Sequence, residues 1–427
     1  LSPTRNFTNL SGLGVPSIEP SVDETYTIDN TAPYIVSITR SSSNNAPGTS
    51  PTSDDDLYWL IRFNEAMESS SINEDDFEVL GTTAQVVNIS STTQKTSFRV
   101  RVRYGDLATV NGTVTLNFAN DFYITDDAGN KLVNITPTGA NENTFVLDNT
   151  GPKNTSITRH SPTSENTNQD ELIWRVHFDG PVLNVGVNDF TVSGTTAQIT
   201  GFTNPSDNVY QITVSGGDLA NLNNTVTLGF AANQDIVDPY GNPLIVPALT
   251  GSFTVDNTAP LVTSIVRANS TTSPTSADQL FWDITFSETM RSLTVSDFEL
   301  LGTTANIIDV QYRGGSTYRV RAFGGDLPGL NGSVTLNVLA GQGATDQAGN
   351  ALTNTTPTGT NENVFVVDNS APEVVNMNRF NPASNITKNN VLTWIVNFDR
   401  AVENVSIGDF VATNANVFEV TKATDDT

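Results

Sequence analysis

One string recurs four times in this chain and sets its architecture before any composition is counted. Asp-Asn-Thr/Ser-Ala/Gly-Pro starts at Asp29, Asp148, Asp256 and Asp368, at intervals of 119, 108 and 112 residues. The four tryptophans, Trp59, Trp174, Trp282 and Trp394, keep nearly the same beat. Asp-Phe recurs at Asp76, Asp189, Asp297 and Asp409, Gly-Thr-Thr-Ala at Gly81, Gly194 and Gly302, and Gly-Asp-Leu at Gly105, Gly217 and Gly325. A fixed period of about 110 residues means tandem modules, each large enough to bury a core of its own. The boundaries read as a tail (1–29), module one (30–148), module two (149–256), module three (257–368) and a partial module four (369–427). Tyr26-Thr27-Ile28-Asp29 matches Phe145-Val146-Leu147-Asp148, so the tail is expected to hold the last strand of a preceding or complemented module. Module four lacks counterparts of the stretches at 98–102 and 114–118.

Each module reads as short strands separated by turns. Leu172, Trp174, Val176 and Phe178 alternate with Ile173, Arg175 and His177, a period of two that marks a strand with one buried face. The same frame holds around Trp59, Trp282 and Trp394, so all four tryptophans are expected in cores. No helical period appears. About seven strands in about 110 residues, with Gly and Asn turns between, predicts an all-β fold of tandem immunoglobulin-like β-sandwiches. Pro33, Pro152, Pro260 and Pro372 stiffen the joints, and no Gly/Ser linker loosens them, so the modules are expected to form an elongated rod.

Composition excludes several partners. The net charge of −26 opposes nucleic acid and anionic membrane surfaces, and attracts cations. There is no cysteine, hence neither disulfide nor thiolate metal site. No apolar run approaches the length of a membrane-spanning helix, and Leu1-Ser2-Pro3-Thr4-Arg5 is not a secretory leader. The two histidines, His160 and His177, have no counterparts in other modules, and no phosphate loop or dinucleotide fingerprint occurs. The expectation is a chain that is not an enzyme and has no catalytic residues.

The recurring phrases resemble the bacterial immunoglobulin-like tandem repeats of large surface adhesins and secreted repeat proteins. The resemblance is carried by Asn111-Gly112-Thr113-Val114-Thr115-Leu116, Asn331-Gly332-Ser333-Val334-Thr335-Leu336, Asp126-Asp127-Ala128-Gly129-Asn130 and Asp346-Gln347-Ala348-Gly349-Asn350, and covers about residues 22 to 427. Module two departs from it with Asp238-Pro239-Tyr240-Gly241-Asn242. The resemblance implies an extracellular or cell-surface location and a role as stalk, spacer or ligand-binding tip. The favoured expectation is a structural stalk or fibre segment whose partners are neighbouring repeats of a longer chain or other copies of itself, joined head to tail by strand addition. The alternatives are a module that recognises carbohydrate or protein, and an accessory segment of a secreted carbohydrate-active enzyme.

The sharpest site expectation is calcium, the one cofactor that the acids suggest. Calcium takes six to eight oxygens, which loop carboxylates and carbonyls supply. The expected ligands are the junction acids Asp29, Asp148, Asp256 and Asp368, with Glu65, Asp179, Glu288 and Asp399 after the tryptophan strands. Acids also recur at Asp106, Asp218 and Asp326, read as turn chemistry, and at Asp126, Asp238 and Asp346. Asn111, Asn223, Asn331, Asn134 and Asn354 are glycosylation candidates because their sequons recur at equivalent positions.

Overall fold

A computed structural model describes residues 6–14, 24–44, 48–206, 208–245, 249–269 and 272–423. The opening residues 1–5, read above as no leader, lie outside it. Among the described residues every ladder is β, and the only helical pieces are single 3-10 turns.

Module one is a sandwich of two sheets. The first runs in the order Ile35–Ser41, Asp56–Phe63, Ser97–Arg103, Gln85–Ser91. The second runs Phe77–Leu80, Gly112–Phe118, Thr144–Leu147. Modules two and three repeat this plan, module two adding a two-residue strand, Asn166–Thr167, beside its last one. The alternation read from the sequence is the reason. Leu57, Trp59, Ile61 and Phe63 point inward and are buried, and Phe98, Val100 and Val102 face them from the neighbouring strand.

The tryptophan closes each sandwich. Trp59, Trp174 and Trp282 are fully buried. Each meets a phenylalanine of the last strand edge-on: Trp59–Phe145 at 5.0 Å, Trp174–Phe253 at 4.8 Å and Trp282–Phe365 at 5.1 Å between ring centroids. An arginine adds a polar clamp beside this contact. Arg40, Arg159 and Arg267 each donate from Nη1 to a main-chain carbonyl of the opposite sheet, at Thr144, Ser252 and Val364, over 2.9 to 3.0 Å.

The entry and exit segments of the module also touch directly. Ile38 donates to the Ala140 carbonyl and accepts from the Glu142 amide, and Thr52 likewise brackets Val146 and Asp148, in two parallel bridges. Ile265 and Thr275 repeat both bridges in module three.

The Gly-Asp-Leu acids are turn chemistry, as expected. Asp106 Oδ1 accepts from the Thr82 hydroxyl and the Thr83 amide, and Asp218 and Asp326 repeat the pair on Thr195/Thr196 and Thr303/Thr304. The hydroxyl, then the amide, hold all three carboxyls below their ordinary range. The preceding Gly105, Gly217 and Gly325 have positive φ, and a Cβ there would lie 2.4 Å from a backbone nitrogen of the facing turn. The Asp-Phe acids cap 3-10 turns: Asp76, Asp189, Asp297 and Asp409 each accept through Oδ2 from the amide three residues earlier.

Residues 24–29, read as the last strand of a preceding or complemented module, join no ladder among the described residues, and Tyr26 and Ile28 are 93% and 81% exposed. One expectation needs correction. Trp394 is not core. It lies in a two-stranded sheet, Val374–Asn381 with Thr393–Phe398, and is 45% exposed because no second sheet covers that face among the described residues.

Trp174→Ala is expected to destabilise module two by roughly 3–5 kcal/mol, the usual cost of truncating a core aromatic. Modules one and three should melt almost unchanged, since stability in repeats is largely local. Trp394→Ala should cost far less. Calorimetry of the whole chain checks this: one transition should move for Trp174→Ala, and equal losses for the two variants would contradict the burial difference.

Candidate metal centre at the module junctions

The junction string is tied to both of its neighbours. Its aspartate starts an Asx turn: Asp29, Asp148, Asp256 and Asp368 each accept through Oδ1 from the amide two residues on. The next asparagine belongs to the module behind. Asn149 Nδ2 donates to the carbonyls of Leu107 and Val110, and its amide donates to Asn111 Oδ1 at 2.7 Å. Asn257 and Asn369 repeat this, their amides held by Asn223 and Asn331. Three of the glycosylation candidates therefore recur because their side chains carry a junction bond. Asn134 and Asn354 instead accept from the amides of Thr136 and Thr356 in exposed turns.

The module ahead grips the same string. In its Asp-x-x-Gly-Asn turn the asparagine donates back to the carbonyl of the junction aspartate: Asn130 to Asp29 at 3.2 Å, Asn242 to Asp148 at 2.9 Å and Asn350 to Asp256 at 2.8 Å. The turn aspartate fixes that asparagine, Asp346 accepting from its amide and its Nδ2, both at 2.8 Å. Loops also cross the joint. Asn168 of module two reaches the Ala348 carbonyl and Asn350 Oδ1 of module three, both at 3.1 Å. The Ser53 hydroxyl of module one donates to the Tyr240 carbonyl of module two.

This geometry gathers carboxylates at two junctions. Asp29, Glu65 and Asp126 form one group, and Asp256, Glu288 and Asp346 the other, each with ligand oxygens within 4.8 Å of one another. Four expected ligands thus meet in these groups, and each group takes a third acid from the turn set, Asp126 or Asp346. Among the described residues no lysine or arginine forms an ion pair with any of the six. The charge is uncompensated, and Glu288 registers it: burial first, then the negative charges of Asp346 and Asp256, push its carboxyl up to about 7. Burial also pushes the Asp126 carboxyl up, but bonds from the side chain and amide of Asn130 outweigh it and hold the group below its ordinary value. An all-oxygen set of three carboxylates suits a hard divalent cation such as calcium, with backbone carbonyls and water filling the remaining positions.

The other four expected ligands form no such group. Asp179 and Asp399 are not equivalents of Glu65 and Glu288 but stand one residue earlier, where modules one and three have Asn64 and Ser287. All four side chains do the same work, accepting from the amide after the junction proline: Tyr34 on Asn64, Lys153 on Asp179, Leu261 on Ser287 and Glu373 on Asp399. The position of Glu65 and Glu288 is Gly180 in module two, so Asp148 lacks a third acid. In module four it is Arg400, whose guanidinium bonds both oxygens of Asp368, at 3.2 and 3.3 Å, and Asp399 at 2.9 Å. A protein cation stands where the other junctions gather acids.

No protein-family model and no curated protein sequence matches the chain. Among solved structures it resembles the S-layer protein rSbsC(31-844), at 11% identity and TM-score 0.19, over 82% of this chain and 56% of that one. It also resembles the endo-fucoidan hydrolase MfFcnA4 of glycoside hydrolase family 107, at 12% identity and TM-score 0.17, over 68% of this chain and 40% of that one. A third match is native alpha-2-macroglobulin from Escherichia coli, domains MG0-NIE-MG1, at 9% identity and TM-score 0.20, over 74% and 96%. Overlaps this low carry no argument about function.

Glu288 yields a pH prediction. An acid whose folded pKa lies above its ordinary 4.5 favours folding while it holds its proton. Without added cation, that contribution is full below pH 4.5 and is lost as pH rises through about 7. Glu288→Gln removes the charge and keeps the shape, so in chelator at pH 8 module three should melt a few degrees higher than wild type. Melting curves from pH 5 to 8 check this, and parallel curves for the two proteins would contradict it.

Proposed function

We propose that this chain is a structural segment of an extracellular stalk or fibre, with no catalytic role, whose junctions into modules one and three are locked by calcium. The observation that supports the reading most is the double grip on the junction strings at Asp148 and Asp256, with single grips at the other two. Asn149, Asn257 and Asn369 bind their strings to the module behind, and Asn130, Asn242 and Asn350 bind theirs to the module ahead. Joints bonded on both sides suit a spacer that must hold its direction.

In this reading Asp29, Glu65 and Asp126, and likewise Asp256, Glu288 and Asp346, hold the cation. It neutralises the mutual repulsion of the three acids and ties the junction aspartate to the next module. The joint into module four takes its positive charge from Arg400, and that into module two has Gly180 at the key position, so neither depends on the ion. Partners are neighbouring repeats of a longer chain or further copies. The exposed face around Trp394 and Val374 is where an opposing layer from either source adds to module four.

The test is scattering and melting of the whole chain with calcium and with chelator. At a calcium concentration a hundred times Kd, module three should gain about 2.7 kcal/mol. Chelation should broaden the scattering profile of an elongated particle. Glu65→Gln with Glu288→Gln should abolish both responses, while Arg400→Gln leaves the calcium response intact. Identical melting and scattering in calcium and chelator would sink the cation reading. A compact particle in both would sink the stalk.

A further inference from the structure

Module one carries a feature that its sisters lack, away from the junctions. On the strand Ser97–Arg103, the inward residues are Phe98, Val100 and Val102, and the outward ones are Arg99, Arg101 and Arg103. Alternate residues on a strand stand about 7 Å apart, so three guanidiniums line one sheet face. Arg62, outward and exposed on the adjacent strand, extends the row. In a chain with 20 basic against 46 acidic residues, such a row is a local reversal of sign.

Module three shows what neutralises the same face. There Arg319 is bonded by Asp283 at 2.7 Å and Arg321 pairs with Asp309 at 3.1 Å. The ladder partners of these arginines define their counterparts. In module one, Leu60 faces Arg99 and Asn88 faces Arg101, where module three has Asp283 and Asp309. Both acids are gone. Asp56 bonds Arg101 at 2.8 and 2.6 Å, and its carboxylate also feels the charge of Arg103, its ladder partner, without bonding it. Among the described residues neither Arg62 nor Arg103 has an ion pair. In module two the strand carries Gln211, Thr213 and Ser215 instead.

The row ends on a strained aromatic. Tyr104 has φ +70°, where modules two and three place Gly216 and Gly324 at φ +78° and +79°. A bulky residue in that region is held against its preference. Its side chain gains no burial in return, since Tyr104 is 67% exposed, with the Arg103 guanidinium 5.5 Å from its ring centre. Deeper in the row, Arg99 and Arg101 lie over Tyr58 at 4.9 and 5.6 Å.

We infer that this sheet face binds an anionic polysaccharide, with Arg62 and Arg103 taking its sulfate or carboxylate groups and Tyr104 taking the flat C–H face of a sugar ring. Guanidinium forks match both anions in two-point geometry. An exposed ring beside them adds what an acidic protein surface does not require. The acidity of the other modules repels the same polymer, confining it to this face. The inference is independent of the junction reading.

The test is calorimetric titration of the whole chain with heparin as the sulfated probe, polygalacturonate as the carboxylated probe and dextran as the neutral one. Heparin, polygalacturonate or both should bind, more weakly as salt rises, and dextran should not; the preferred polymer identifies the anion. Tyr104→Gly installs the residue of the sister modules, so folding should be unharmed or improved while affinity falls about tenfold. Arg103→Ser, the residue of module two, should act alike, and Arg319→Gln in module three should change nothing. Binding no tighter than dextran, or undiminished in Tyr104→Gly and Arg103→Ser, would overturn the inference. So would variants that lose self-association in sedimentation while keeping polysaccharide affinity, which would make the face a contact between copies.

Discussion

The contact between the tryptophan of the first sheet and the phenylalanine of the last strand sets the geometry of every complete module. It is an edge-on packing of two large rings at about 5 Å, with the indole nitrogen left without a partner, so shape alone holds it. Its consequence reaches both ends of the module. Three residues beyond the phenylalanine stands the junction aspartate, as in Phe145 and Asp148. Six beyond the tryptophan stands the position held by Glu65, Gly180, Glu288 or Arg400. Within one module, a core contact thereby relates the position that meets the incoming junction acid to the acid that leaves at the other end.

Much of the fold was legible because its signals are periodic. Repeated strings delimit modules, and the alternation around Trp59, Trp174 and Trp282 gives strand and buried face together. Trp394 has the same local pattern and a different fate, because burial needs an opposing sheet that local pattern does not contain. The site was legible by residue type but not by register. Asp179 and Asp399 look like partners of Glu65 and Glu288 when acids are matched to acids. Ladder geometry sets them one residue earlier, and that step turns one set of four into a bonding position shared by all modules and a variable one beside it. The clamp made by Arg40, Arg159 and Arg267 was missed, although its intervals of 119 and 108 residues match those of the junctions. An isolated arginine on an outward strand position carries no sign that it reaches across the sandwich.

The modules therefore share a scaffold and differ in charge. The Gly-Thr-Thr-Ala and Gly-Asp-Leu turns, the 3-10 caps and the junction asparagines recur because each satisfies a backbone group that the sandwich leaves open. The variable residues sit where nothing in the fold dictates them. Glu288 and Arg400 occupy one backbone position with opposite charge, and Arg103 with Tyr104 replaces Phe323 with Gly324. Differences of this kind separate what a module needs in order to fold from what distinguishes it afterwards.

The parallel bridges between the entry and exit segments have a mechanical consequence. The chain enters a module just before Ile35 and leaves it just after Leu147, and Ile38 and Thr52 are bonded to the exit segment at Ala140, Glu142, Val146 and Asp148. Tension applied through the two ends draws these segments past each other along their length. The four bonds then lie across the direction of sliding and carry the force together, whereas a hairpin pulled at its open end gives up one bond at a time. Module three repeats the arrangement with Ile265 and Thr275. Each such module is therefore loaded as a shear joint, in which these bonds share the force with those of Thr138 to Ile35 and Gly139 to Val36 in module one.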